Sequence, residues 1–198
     1  GTGRTNLRFM MKSIPQFALF GEVQSEDDPE FTHIETIRAR SRLYDWKITP
    51  HTHRRLFQLV FVARGTAHVH LDNRLEVIDG PGVVTLPSGV VHAFSFKPET
   101  TGHVVTIADT LITESVRQQS RELFAPMIRQ PYTFGFEANP EHSELLEFAL
   151  GQMHRESKWQ QPGRTSMFRW YLRIILMTLR RQLETEQQLD PSRRGRAI

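Results

Sequence analysis

The 198-residue chain has no cysteine. That one absence removes disulfides, thiolate metal centres and cysteine nucleophiles, and leaves histidine, carboxylate and amide groups as the metal ligands on offer. Long apolar runs are missing too: nothing approaches the roughly 20 residues that span a bilayer, and the opening GTGRTNLRFMMKS is polar and basic without an apolar signal core. A soluble, cytoplasmic protein with no membrane partner is expected. Net charge is small, +3, with Arg4 and Arg8 near one end and Arg193, Arg194 and Arg196 near the other. Positive charge at the ends fits solvated tails better than a nucleic-acid surface. The leading Gly-Thr-Gly reads as a cloning remnant.

What is present divides near residue 110. Before it, apolar residues fall in short runs broken by Gly, Pro and Asp-Asn; after it, they recur at helical spacing. The predicted strands are Gln16–Phe20, Phe31–Ile37, Arg42–Ile48, Leu56–Ala63, Thr66–Leu71, Leu75–Ile78, Val83–Leu86, His92–Phe96 and His103–Ala108, enough for a closed or a sandwiched antiparallel sheet. Asp72-Asn73 suits a tight hairpin, since short polar side chains tolerate positive φ. In Thr66–Leu71 the alternation puts Ala67, Val69 and Leu71 inward, with His68 and His70 outward, in solvent or beneath a helix. Leu59-Val60-Phe61-Val62-Ala63 does not alternate, as expected of a strand covered on both faces.

Two helices are predicted, about Pro140–Lys158 and Arg164–Gln187, separated by Trp159-Gln-Gln-Pro-Gly163. Asn139 is placed to cap the first, whose apolar face is read as Leu145, Phe148, Ala149, Gln152 and Met153. The second carries a seam, Phe168, Leu172, Ile175, Leu179 and Leu183, and a further edge of Met167, Tyr171 and Ile174. Two apolar edges ask for two neighbours, and the second neighbour is either a partner subunit or the rest of the same chain.

The histidines of the β half are spaced for chemistry. His51 and His53 point to one side of an extended chain and can grip one ion or one anion; Gln58 follows, then Gly65, and Pro87-Ser-Gly89-Val-Val-His92 delivers a third imidazole. This spacing resembles the two motifs of the cupin superfamily. The resemblance implies a mainly β fold, a cupin-type antiparallel β-barrel (double-stranded β-helix) followed by a helical dimerisation hairpin. It also implies one divalent metal such as zinc on His51, His53 and His92, with Gln58. The sequence departs from the pattern in carrying Gln58 where a Glu is usual and Phe96 where many cupins have Asn. An amide in place of a carboxylate weakens a divalent site and leaves room for an anionic ligand. The alternative is a metal-free pocket in which these imidazoles form hydrogen bonds.

A barrel followed by two helices, the second with a seam, resembles the N-terminal domain of AraC-type transcription regulators. Ile14–Glu22, His33–Ile37, Arg42–Ile48 and Phe57-Gln58-Leu59 are similar to the PobR-like branch responsive to 4-hydroxybenzoate. The organisation implied is a disordered tail or remnant over 1–13, a ligand-binding barrel over 14–112, a dimerisation segment over 113–187 and a linker over 188–198. DNA would then be bound only by a full-length protein with a further domain. The partners implied are a small aromatic carboxylate and a second copy of the chain, joined through the second helix. The ring would pack on Tyr44, Trp46 or Phe96, with Phe94 better read as core, and the carboxylate would meet His51, His53, Gln58 and His92. No catalytic residue is assigned. The rival class is a metal-dependent cupin enzyme, a dioxygenase or isomerase, acting on a small aromatic or a sugar.

Overall fold

A computed structural model describes residues 32–38, 46–47, 55–71, 74–90, 92–113 and 118–189. The strand predicted at Gln16–Phe20, most of that at Arg42–Ile48 and the Asp72-Asn73 turn lie outside the described residues. Within them the strands are β1 (Thr32–Thr36), β2 (Trp46–Lys47), β3 (Leu56–Arg64), β4 (Thr66–Leu71), β5 (Arg74–Asp79), β6 (Gly82–Leu86), β7 (His92–Phe96), β8 (Thr101–Ala108) and β9 (Tyr132–Gly135). The helices are α1 (Thr110–Thr113), α2 (Gln118–Arg129), α3 (Pro140–Lys158) and α4 (Arg164–Leu189).

The strands form two antiparallel sheets, one of five strands ordered β1-β8-β3-β6-β9 and one of four ordered β2-β7-β4-β5. The expected closed barrel is therefore corrected. Among the described residues no ladder joins the edges of one sheet to those of the other, and the helices hold more residues than the strands, so the fold is mixed α and β. Local spacing specifies strands and turns, whereas closure depends on pairing between strands far apart in sequence.

The sheets meet at one tight corner. Only Gly65 separates β3 from β4, and only Gly80-Pro81 separates β5 from β6, so the β3–β6 ladder ends at Val62 and Gly82 where the β4–β5 ladder begins at Thr66 and Asp79. Gly65 has φ +91°, and a Cβ there would lie 2.5 Å from Thr100 Oγ1. That hydroxyl donates to the Lys97 carbonyl at 2.7 Å, lies 3.1 Å from the Thr66 carbonyl, and accepts from the Thr66 N–H. The corner thus needs a residue that is both small and free to take positive φ. At the other end β6 stops at Leu86 and β7 begins at His92, with residues 87–90 described between them.

Three layers result. Val60, Val62, Val84 and Val104 of the larger sheet pack against Ala67, Val69, Leu71, Ile78 and Phe94 of the smaller. The opposite face of the larger sheet, with Phe57, Leu59, Phe61, Val83, Val105 and Ile107, packs against the helices. The non-alternating run in β3 is buried from Leu59 to Val62, with Ala63 half-buried, because both of its faces are covered. In β4, Ala67, Val69 and Leu71 are buried, His68 is half-buried and His70 exposed.

Helix α3 has the predicted bounds. Its buried face is Leu146, Ala149, Leu150 and Met153, while Leu145 and Phe148 are exposed. Two apolar stripes run along this helix, and packing selected the one not wholly foreseen. Asn139 stands at the cap position without a side-chain capping bond and donates to Glu141 Oε1 instead. The α4 seam of Phe168, Leu172, Ile175, Leu179 and Leu183 is wholly buried within the chain itself. Pattern reading missed α1, α2 and β9. Helix α2 contains Pro126 and sinks Phe124 and Met127 into the helix-side core, and β9 extends the larger sheet by pairing with β6.

Candidate functional site

Strand register fixes which side chains share the space between the sheets. Gln58 pairs with Thr106 on β8 and with Leu86 on β6, and Thr106 pairs with His33 on β1. Residues paired across an antiparallel ladder point to the same face. With Val60 and Val104 between the sheets, alternation puts His33, Thr106, Gln58 and Leu86 on that same inner face, in one row.

The row is polar and buried. Thr106 is 0% exposed, and His33 and Gln58 are 2% exposed each. Gln58 Nε2 donates to Thr106 Oγ1 at 2.9 Å, and His33 Nε2 lies 3.7 Å from Glu35 Oε2, a carboxylate two residues along the same strand. Polar groups taken out of water destabilise unless they are bonded, so a buried polar row in an otherwise valine- and leucine-lined layer marks a candidate recognition surface. It lies at the end of the layer away from the Gly65 corner.

Several residues singled out in the sequence fall here and others do not. Tyr44, His51 and His53 lie outside the described residues. His92 and Trp46 are placed by backbone alone: His92 pairs with Leu71 and Trp46 with Phe94. Phe96 pairs with Ala67, at the corner end, and its ring stacks with that of Phe94 at 6.3 Å between centroids. Gln58 and Phe96 therefore belong to opposite ends of the layer. His33, Glu35 and Thr106 were not singled out in the sequence, although His33-x-Glu35 has the period-two spacing that shares a strand face. Among the described residues no group of three or more His, Asp or Glu is arranged to hold a metal ion.

A second histidine group lies on the helix side. The rings of His103 on β8 and His154 on α3 are 5.6 Å apart. Burial, helped by His154, pushes His103 down to about 4. Burial and then Lys158 lower His154. Further along, Gln182 of α4 donates to the Gly135 carbonyl at 2.8 Å and lies 2.6 Å from His142 Nδ1, while Glu186 accepts from the Gly135 N–H. These bonds fasten α4 to the edge strand β9. Among the described residues no helix is long and apolar enough to cross a membrane.

A family model described as the AraC-like ligand binding domain matches residues 33–172. No curated protein matches the sequence. Among solved structures, the AraC-like transcriptional activator CuxR is 10% identical, with 77% of this chain and 48% of that one covered and a TM-score of 0.46. Apo ToxT from Vibrio cholerae strain SCE256 is 11% identical, with 83% and 58% covered and a TM-score of 0.44. ToxT from Vibrio cholerae O395 is 15% identical, with 73% and 53% covered and a TM-score of 0.38. The chain spans about half the length of these proteins.

Proposed function

This chain belongs to the AraC-like ligand binding domain family, and from that premise we propose that it is the effector-binding and dimerisation part of a bacterial AraC-type transcription regulator that senses a small aromatic acid, 4-hydroxybenzoate being the leading candidate. The observation that carries the reading is the buried row of His33, Thr106 and Gln58 at one end of an apolar layer between two sheets. Such a layer takes an aromatic ring, and its polar end fixes the ring's orientation. His51, His53 and His92 would receive the carboxylate, either as imidazoles or through a divalent ion such as zinc held with Gln58. Tyr44 and Trp46 would flank the ring. DNA would be contacted only by the full-length protein.

Association is assigned to α4. Its seam is consumed inside the chain, which leaves the second edge outward: Ile174 is 40% exposed, its neighbour Trp170 59%, and Met167 and Tyr171 are half-buried. A second copy would cover this edge. Ile174→Glu is expected to turn a dimer into a monomer in sedimentation velocity without lowering the melting temperature of the monomer.

A thermal-shift series of benzoate and its hydroxy derivatives tests the effector class, because a ligand at 100 times its Kd stabilises by about 2.7 kcal/mol. His51→Ala or His92→Ala should abolish the shift and leave the fold. No shift with any of these acids would remove the effector assignment. Stoichiometric redox metal together with turnover of a substrate would replace the sensor with an enzyme.

A further inference from the structure

The outer face of the smaller sheet carries two imidazoles that the proposed function leaves unused. On β4, Ala67, Val69 and Leu71 point into the layer between the sheets, so His68 and His70 stand on the opposite face, with one residue between them. The helices pack on the far side of the larger sheet and leave this face open: His70 and Ser95 are exposed and His68 is half-buried. Along an extended strand the two histidine Cα atoms are about 6.8 Å apart, and both rings project the same way. Rings so placed can converge on one ion, each at about 2.0–2.1 Å.

Strand register sets what surrounds them. On β5, Val77 pairs with His68 and Leu75 with His70, and these apolar side chains are 50% and 49% exposed. On β7 the partners are Ser95 and Ala93, small residues that leave room above the strand for an ion and its water. Toward the corner, the Asp79 carboxylate accepts from the Thr66 hydroxyl and the Lys97 N–H donates to the Thr66 carbonyl, so a negative and a positive residue flank that end. Lys47 takes the register position beyond Ala93. Charge therefore does not draw a cation to this face, and bonds to nitrogen have to carry the binding. That selects late transition ions over calcium or magnesium, which prefer oxygen.

We infer that His68 and His70 form a surface chelate on the outer face of β4 for a late divalent transition ion, copper(II) ahead of nickel(II) and zinc(II). At a fixed set of donors, affinity peaks at copper. Once one imidazole holds the ion the second binds it intramolecularly, which adds about a hundredfold to what a single surface histidine achieves. Two protein ligands leave the other positions to water, with the Ser95 hydroxyl beside His68. The site is separate from His51, His53, His92 and Gln58 and does not depend on the effector assignment. Val69 lies between the two ligands and faces the layer, so an ion bound here clamps the strand that floors it.

The test is titration calorimetry with the chlorides of copper(II), nickel(II), zinc(II) and magnesium, on the unaltered chain, on His68→Ala, on His70→Ala and on the triple variant His51→Ala, His53→Ala, His92→Ala. Copper should bind tightest and magnesium not at all. Either single substitution should weaken copper binding by about a hundredfold, and the triple variant should retain it. Copper electron paramagnetic resonance of the triple variant should show hyperfine coupling to two imidazole nitrogens, lost in both single variants. His68 and His70 lie outside the layer, so the melting temperature without metal should stay unchanged. If the triple variant does not fold, His51→Ala and His92→Ala made singly take its place. Full copper affinity in His68→Ala or in His70→Ala overturns the chelate. Loss confined to the triple variant also overturns it, by placing the ion on the other histidines, and so does an unaltered chain that binds no copper.

Discussion

The two faces of the five-stranded sheet are made by the same strands and both are buried, yet they are built from different residues. Toward the helices the sheet presents Phe57, Leu59, Phe61, Val105 and Ile107, large side chains that interlock with Leu146, Leu150, Phe168 and Leu179. Toward the smaller sheet it presents Val60, Val62, Val84 and Val104, and then the polar row. One face buries the larger apolar area, and the other gives up apolar area to bonded polar groups. Stability is therefore concentrated on the helix side, and the recognition proposed above is assigned to the space between the sheets.

The sharpest way to break this contrast is to truncate one residue on each face of β3. Phe61→Ala, on the helix side, should lower the unfolding free energy by about 3–5 kcal/mol, and the adjacent Val60→Ala by about 2 kcal/mol. Urea denaturation of the two variants measures both. Equal losses would mean that the inner layer is packed as tightly as the outer one.

Acid probes the helix side through His103. His103 reaches toward α3, where His154 and Lys158 lie, and Glu35 and His33 of the neighbouring strand are within electrostatic reach of His154, Glu35 opposing its shift and His33 adding to it. Because His103 is held at about 4, the folded protein takes up this proton at lower pH than the unfolded chain does. Stability is then complete above the ordinary histidine value of about 6.5 and falls as the pH drops toward 4, by about 3 kcal/mol for this group. Melting curves across that window check the slope, and His103→Gln should flatten it. A profile unchanged by the substitution would place the acid sensitivity elsewhere.

How much of this was legible in the sequence differs from element to element. The inward set of β4 and the double burial of β3 follow from alternation and from its absence. The bounds of α3 and the α4 seam follow from helical spacing and from Pro162-Gly163. The inner row was harder to see: His33 and Thr106 become neighbours through a pairing across more than seventy residues, and nothing local announces it. Helix α3 offers two apolar stripes of similar width, so the choice between Leu145 with Phe148 and Leu146 with Leu150 belongs to packing. The closed barrel failed for a related reason, since the motif glycines and prolines specify the corner and the links but not whether the outer edges pair.

The corner supports the contrast from a third position, because it determines which residues face inward. Gly65→Ala combines a positive φ with contact at Thr100, and a loss of about 2 kcal/mol is expected. Gly89→Ala also meets a positive φ but has no atom within 4 Å of the added carbon, so about 1 kcal/mol is expected. Parallel thermal melts give the difference, which isolates the close approach at the corner. If the two variants melt alike, Thr100 yields without cost and the corner is not the fixed point described above.

The smallest expected effect decides why the polar row is there. Thr106→Val removes the acceptor of the Gln58 Nε2 hydrogen bond, and Gln58→Leu removes its donor; each should destabilise by about 1–2 kcal/mol through the partner left behind. Made together, they remove both ends of that bond, and the double variant should lose about 1 kcal/mol less than the two single losses summed. A double-mutant cycle in urea measures the coupling. Coupling of that size would mean that Gln58 and Thr106 act as one hydrogen-bonded unit within the row. If the two losses simply add, the row is part of the packing that holds the sheets together, and the division of labour between the two faces is lost.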